Sequence, residues 1–224
     1  MRRMRRRAFF ADILPFLKDA RYIRIDNRPL LIIYRPHLFG KERVKTFIRT
    51  MRHRAHESGL NGIYFMVALT HNFESTETPS EWGFDAGVEF PPHGFARFPK
   101  KQRFEFLDEH FTGTIFDMEE IIGKRLYMRT ADFPLFRTVF PSWDNTARKA
   151  YSNAAVLQLS PDLYKAWLVD MLKWTQAHHP PQESVLFINA WNEWAEGAHL
   201  EPDQRYGYAF LQATRDALEH MSSS

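Results

Sequence analysis

Three short runs of unbroken apolar residues, Leu30 to Tyr34, Ile63 to Leu69 and Val185 to Ile188, constrain this chain more than any other feature. Each is the kind of run that fills a strand covered on both faces, as in a parallel sheet. Pro29 and Pro36 bracket the first, and two further strands are expected at Phe84 to Phe90, stopped by Pro91-Pro92, and at Leu135 to Phe140. Helical patterns separate them. Lys41 to Ser58 sets Val44, Phe47, Ile48 and Met51 on one face, with Gly59 placed to cap it. Asp117 and Glu120 form a capping-box pattern ahead of Ile121 and Ile122. Ser160-Pro161 supplies an N-cap and first residue for a helix through Ala177, and Asp203 to His220 closes the chain with Tyr206, Phe210, Ala213 and Ala217 inward. Phe95 to Thr114 shows no clear pattern.

Alternating strands and helices with buried strands define an α/β protein. Polar residues gather at or just past the strand ends: Arg35, His71 and Asn72, Glu89 and His93, Trp143 with Asp144 and Asn145, then Asn192 to Glu196. In a (β/α)8 TIM barrel that is the face that carries the site. No Gly-rich phosphate fingerprint follows any strand, which argues against a doubly wound sheet. Five strands are legible where a barrel has eight and about 250 residues. The expectation is therefore an incomplete barrel lacking its first strands, with residues 1–10 a basic, disordered start and 11–224 the C-terminal part of one barrel domain. Such a sheet would leave open edges at Leu30 to Tyr34 and Val185 to Ile188, inviting self-association or pairing with another polypeptide.

Charge and composition narrow the partners. The first seven residues hold five Arg while the whole chain carries only +3, so the remainder is mildly acidic and its basicity is a terminal tag, not a nucleic-acid face. No apolar run is long enough for a membrane span. The absence of Cys excludes disulfides and thiolate metal sites, and a cytoplasmic location fits. His71 and His199 lack paired ligands at metal spacing, so neither metal nor cofactor is expected.

Ser184 to Asp203 is the densest functional stretch: its apolar strand turns abruptly into Asn189, Trp191, Asn192, Glu193, Trp194, Glu196, His199 and Glu201. Making or breaking a glycosidic bond needs one carboxylic acid to protonate the leaving oxygen and a second carboxylate at the anomeric centre, roughly 5 to 5.5 Å apart in retaining enzymes. Glu193 and Glu196, three residues apart, reach that separation on one turn of helix or loop. Burial beside Trp191 and Trp194 would raise a carboxyl pKa, and the indoles would stack on sugar faces. Asn192, Arg35, Glu89, His93, Trp143, Asp144, Asn145, His199 and Glu201 complete the expected substrate-binding set. Plainer readings exist: acidic residues at a helix start, core indoles, and an ordinary turn or N-cap at Asp144 and Asn145.

Asn189-Ala-Trp-Asn-Glu-Trp-Ala-Glu-Gly-Ala-His-Leu-Glu-Pro-Asp, with Arg205-Tyr-Gly just after, resembles the C-terminal signature of the WbsX-type glycosyltransferase family, related to glycoside hydrolase family 99. Arg28-Pro-Leu-Leu-Ile-Ile-Tyr-Arg-Pro, Gly83-Phe-Asp-Ala-Gly-Val-Glu-Phe-Pro-Pro-His-Gly and Pro141-Ser-Trp-Asp-Asn-Thr-Ala-Arg share the resemblance. It implies a (β/α)8 barrel acting on glycosidic bonds in O-antigen or other surface polysaccharide synthesis. The family's domain begins earlier, with further Trp- and Asn-rich motifs, so the chain would correspond to its C-terminal portion. The resemblance assigns Glu193 as a base that deprotonates the sugar's 2-hydroxyl, giving an anhydro-sugar intermediate, and Glu196 as the acid. Two classes stay open: a transferase or hydrolase built on this pair, and a catalytically inactive remnant or glycan-binding module.

Overall fold

The computed structural model describes residues 2–70, 78–101, 109–149 and 153–222, with side chains from residue 8 onward; His71 and Asn72 lie outside the described residues. The chain forms two compact units, Met1–Glu89 with Ala131–Phe136 and His179–Ser184, and Phe90–Thr130 with Arg137–His178 and Val185–Ser224.

In the first unit the apolar runs become a five-stranded sheet. Strand β1 (Arg24–Ile25) turns through Asp26 and Asn27, both at positive φ, into β2 (Arg28–Ile33). Asp and Asn tolerate that left-handed conformation better than other side chains, which is why the hairpin closes here. From β2 the sheet continues parallel through β3 (Tyr64–Leu69), β4 (Ala86–Glu89) and a short strand at Leu135–Phe136. Every residue of β3 is buried, as a central strand's continuous apolar run requires. On the side away from β3, β1 pairs with Arg28 and Pro29 and the Leu30 amide donates to Ile23 O at 3.0 Å, and among the described residues no strand pairs with Leu31 to Ile33 at this edge. Beside that edge lies a cavity of about 670 Å³ lined by Phe9, Ile32, Tyr34, Leu38 and Phe39 among others.

Two helices cover this sheet. The helix α1 (Arg2–Lys18) buries Phe10 and Leu17 in the unit's core. The helix α2 (Lys41–Glu57) buries Val44, Ile48, Met51 and Ala55 and ends where Gly59 donates its amide to His56 O at 3.0 Å. Beneath it, Asp85 accepts from Arg28 Nη1 at 2.9 Å, Arg52 Nη2 at 2.6 Å and the Phe65 amide at 2.7 Å, tying β2, β3 and α2 to the start of β4.

The second unit carries short strands on a helical core. The helix α3 (Met118–Gly123) realises half of its capping box: Asp117 accepts the Glu120 amide at 3.1 Å, while the Glu120 carboxylate turns to Lys124 instead. The short α4 (Thr146–Lys149) precedes α5 (Pro161–His178) and α6 (Ala209–Ser222). Ser160 Oγ caps α5 through the Leu163 amide at 3.2 Å. Helices α5 and α6 pack through Tyr164, Trp167, Leu168, Met171, Phe210, Ala213 and Ala217, all buried. Buried Tyr164 also shares a 3.0 Å hydrogen bond with Thr214, and burial pushes its phenol up to about 12.

Two expected strands are revised. Leu135 to Phe140 splits at Arg137 into Leu135–Phe136 and Thr138–Val139, the second belonging to the second unit. Arg137 is fully buried, its guanidinium 4.1 Å from the Trp174 ring and donating to Arg129 O at 2.7 Å. Val185 to Ile188 shortens to Phe187–Ile188 and is half-buried, because it has one parallel neighbour, Thr138–Val139, and no second strand to cover it among the described residues. A strand at Ala155–Leu157, pairing with Thr114–Ile115 and Trp143–Asp144, was not anticipated.

Candidate functional site

Past Phe187–Ile188 the chain is pinned at Asn189, whose amide donates to Val139 O at 2.9 Å and whose Nδ2 donates to Pro91 O at 2.7 Å. It then folds into a hairpin in which Asn192 pairs with His199 and Glu193 with Ala198. Trp194–Glu196 makes the tight connection and Gly197 closes it at φ 60°. A Cβ at Gly197 would stand 3.0 Å from the Asp144 amide nitrogen and 3.1 Å from its carbonyl, so only glycine lets the hairpin lie against Trp143–Asp144. Ser142 Oγ donates to the Gly197 carbonyl, fixing the same contact.

The first strand of the hairpin and Trp194 face solvent, while Ala198 on the returning strand is buried. Asn192 and Glu193 are exposed, as are Trp191 and Trp194, at 54% and 50%. Carboxyl burial beside the indoles, expected from sequence, is therefore not what Glu193 experiences. Glu196 differs: its side chain is only 17% exposed and forms an ion pair with Arg148 of α4. A guanidinium partner favours the carboxylate over the neutral acid.

Around Trp194 the polar groups engage one another. The His199 ring stacks on the indole with centroids 3.7 Å apart, and the indole N–H donates to Glu201 at 2.6 Å. His199 Nε2 lies 3.2 Å from Asp203 Oδ2, while its Nδ1 is buried with no hydrogen-bond partner among the described residues. Desolvation opposes ionisation of Asp203, but hydrogen bonds from the Tyr206 amide, His199 and the Arg205 amide outweigh it and hold the carboxyl below its ordinary value. The closing helix starts only at Ala209, six residues later than its sequence pattern begins, because Gly207 stands at φ 54° with its amide turned to the Asp203 carbonyl at 2.9 Å.

The other expected residues fall as follows. Trp143 is buried, in the core. Asp144 accepts the Thr146 amide at 2.9 Å, an ordinary turn contact, whereas Asn145 accepts the Ala155 amide at 2.8 Å from the neighbouring strand. His93 sits 6.1 Å, ring to ring, from Phe90. Arg35 and Glu89 belong to the first unit, Arg35 exposed beyond β2 and Glu89 half-buried at the end of β4, in register with Leu69. Sequence reasoning passed over Arg148, Asp203 and Ser142, although all three stand within the motif blocks quoted for the resemblance. Among the described residues, no cluster of three or more His, Asp or Glu is placed to hold a metal ion, and no helix is long and apolar enough to cross a membrane.

This mixed α/β architecture is similar to that of glycoside-hydrolase-like structures. A glycoside hydrolase-like protein matches with a TM-score of 0.57 at 12% identity, over 95% of this chain and 60% of its own. The GH99 endo-alpha-mannosidase from Bacteroides thetaiotaomicron matches with a TM-score of 0.51 at 14% identity, over 97% of this chain and 63% of its own. The sequence matches the family Glycosyltransferase WbsX over residues 2–214, and the chain belongs to that family. Two WxcX proteins of Xanthomonas campestris pv. campestris, strains B100 and ATCC 33913, are 39% and 38% identical over 211 residues. The match covers 94% of this chain and 30% of theirs, so the chain spans about a third of their length.

Proposed function

We propose that this chain carries the acidic pair of a carbohydrate-active enzyme that makes or breaks glycosidic bonds, in the architecture of a (β/α)8 barrel of which it forms the C-terminal part. The observation that carries the reading is the hairpin: it sets Glu193, Trp191 and Trp194 in solvent and holds Glu196 on the same connection, against Arg148. In this reading Glu193 takes the proton from the sugar's 2-hydroxyl, that oxygen bonds to the anomeric carbon, and the bond to the leaving oxygen breaks as Glu196 gives it a proton. An acceptor hydroxyl, of water or of another sugar, then opens the anhydro ring by the reverse proton movements. Arg148 releases Glu196 when the sugar arrives, since an ion-paired carboxylate has no proton to donate. Trp191 and Trp194 offer ring faces to sugar C–H groups, and Asn192 offers its amide to a hydroxyl. A role in O-antigen or related polysaccharide synthesis in the cytoplasm, and self-association through the uncovered edge of β2, belong to the same proposal.

A second reading, a glycan-binding module without turnover, draws on the exposure of Glu193 beside Trp191 and Trp194. Turnover of α-linked manno-oligosaccharides by the 224-residue chain, measured beside binding, separates the two. Loss of turnover in both Glu193→Gln and Glu196→Gln, with binding kept, supports the enzyme. Full turnover in either variant refutes the assignment of roles, and binding without turnover by the unsubstituted chain favours the module.

A further inference from the structure

Half of the Trp194 surface is open to water, yet the ring is held at two points. His199 covers one face, nearly parallel at 17° and 3.7 Å between centroids. Glu201 takes the indole N–H at 2.6 Å, fixing rotation within the ring plane. The backing ring is itself secured: its side chain is 14% exposed, Asp203 holds Nε2, and the Tyr206 amide locks that carboxylate at 2.5 Å. The Asp203 carbonyl accepts the Gly207 amide at 2.9 Å, closing the turn beneath. Because His199 is the cross-strand partner of Asn192, the support lies one register step from Glu193.

We infer that His199, Glu201 and Asp203 are positioning residues that hold Trp194 as a fixed wall, its uncovered face presented to a pyranose ring. The inference rests on the proposed glycosidic site and revises its contact set, since His199 and Glu201 serve the indole and not the sugar. A wall held in advance spares the entropy of ordering an aromatic side chain when ligand binds. It also favours pyranoses that turn a patch of C–H groups to the indole, as the C3 to C6 edge of a mannose does, because the ring face offers a hydroxyl no hydrogen bond.

The brace is tested first without ligand. The Trp194 indole N–H resonance, assigned by its loss in Trp194→Phe, is expected to exchange slowly with water in the unsubstituted chain. Exchange is expected to accelerate at least tenfold in Glu201→Gln and His199→Ala, with the upfield ring-current shift lost only in the latter. His199→Phe, which keeps a ring to stack, is expected to restore the shift. Exchange and shift unchanged in His199→Ala would overturn the brace. Titration with α-mannobiose then reads the wall: the Trp194 resonance is expected to move, with affinity about three- to tenfold weaker in His199→Ala and recovered in His199→Phe. A Trp194 resonance unmoved at saturating sugar, or equal affinities in folded variants, overturns the wall. Neither result bears on whether Glu193→Gln abolishes turnover, so failure here is distinguishable from failure of the proposed function.

Discussion

The Arg148 guanidinium and the Glu196 carboxylate form an ion pair that joins α4 to the hairpin carrying Glu193. If Glu196 is the acid of a glycosidic reaction, this pair works against it until substrate intervenes. Arg148→Ala is therefore expected to change kcat/KM at least several-fold, while Arg148→Lys, which keeps the charge, stays nearer the parent value. An unchanged kcat/KM in Arg148→Ala would dissociate the ion pair from the acid role of Glu196.

Asp203 makes a separate pH prediction. Its carboxyl is held below the ordinary value of 3.8, so it stabilises the fold fully above about pH 4, and that stability is lost as pH falls through the lower folded value. Asp203→Asn should cost about 1 to 2 kcal/mol near neutrality. In denaturant titrations at successively lower pH, the gap between the two proteins should narrow below pH 4.

Tyr164 works in the opposite direction. A phenol pushed up to about 12 contributes stability that is complete below its ordinary value of 10.0 and is lost as pH rises toward 12. Tyr164→Phe loses the bond to Thr214 at a cost of about 1 kcal/mol. Spectrophotometric titration should show one phenol fewer ionising at the high end.

In the first unit, Asp85 bridges two guanidinium groups and a backbone amide. Asp85→Ala removes the acceptor these three share, leaving Arg28 only Asp26 and Arg52 only the Ile63 carbonyl, and should destabilise by about 2 to 3 kcal/mol. Asp85→Asn, which retains a carbonyl, should recover part of that in thermal unfolding.

Much of this was legible because apolar runs and capping residues act locally. Val44, Ile48 and Met51 point inward at their helical spacing, Ser160 caps its helix, and Ile63 to Leu69 is a buried strand bar one residue. What escaped depends on partners distant in sequence. The split of Leu135 to Phe140 at Arg137 is not legible because Trp174, whose ring its guanidinium faces, is distant in sequence. The ion pair of Glu196 is not legible because Arg148 is 48 positions away. The closing helix is shorter than its pattern because Tyr206 keeps helical spacing while Gly207, at φ 54°, leaves the helical path.

Gly197, finally, carries no functional group, yet it sets how deeply the loop bearing both glutamates can seat on its neighbour. Adding one methyl there would lift that loop by a fraction of an ångström and shift every reacting atom on it together. In a saturation screen this position should tolerate replacement as poorly as the acids themselves, for want of room and not for want of chemistry.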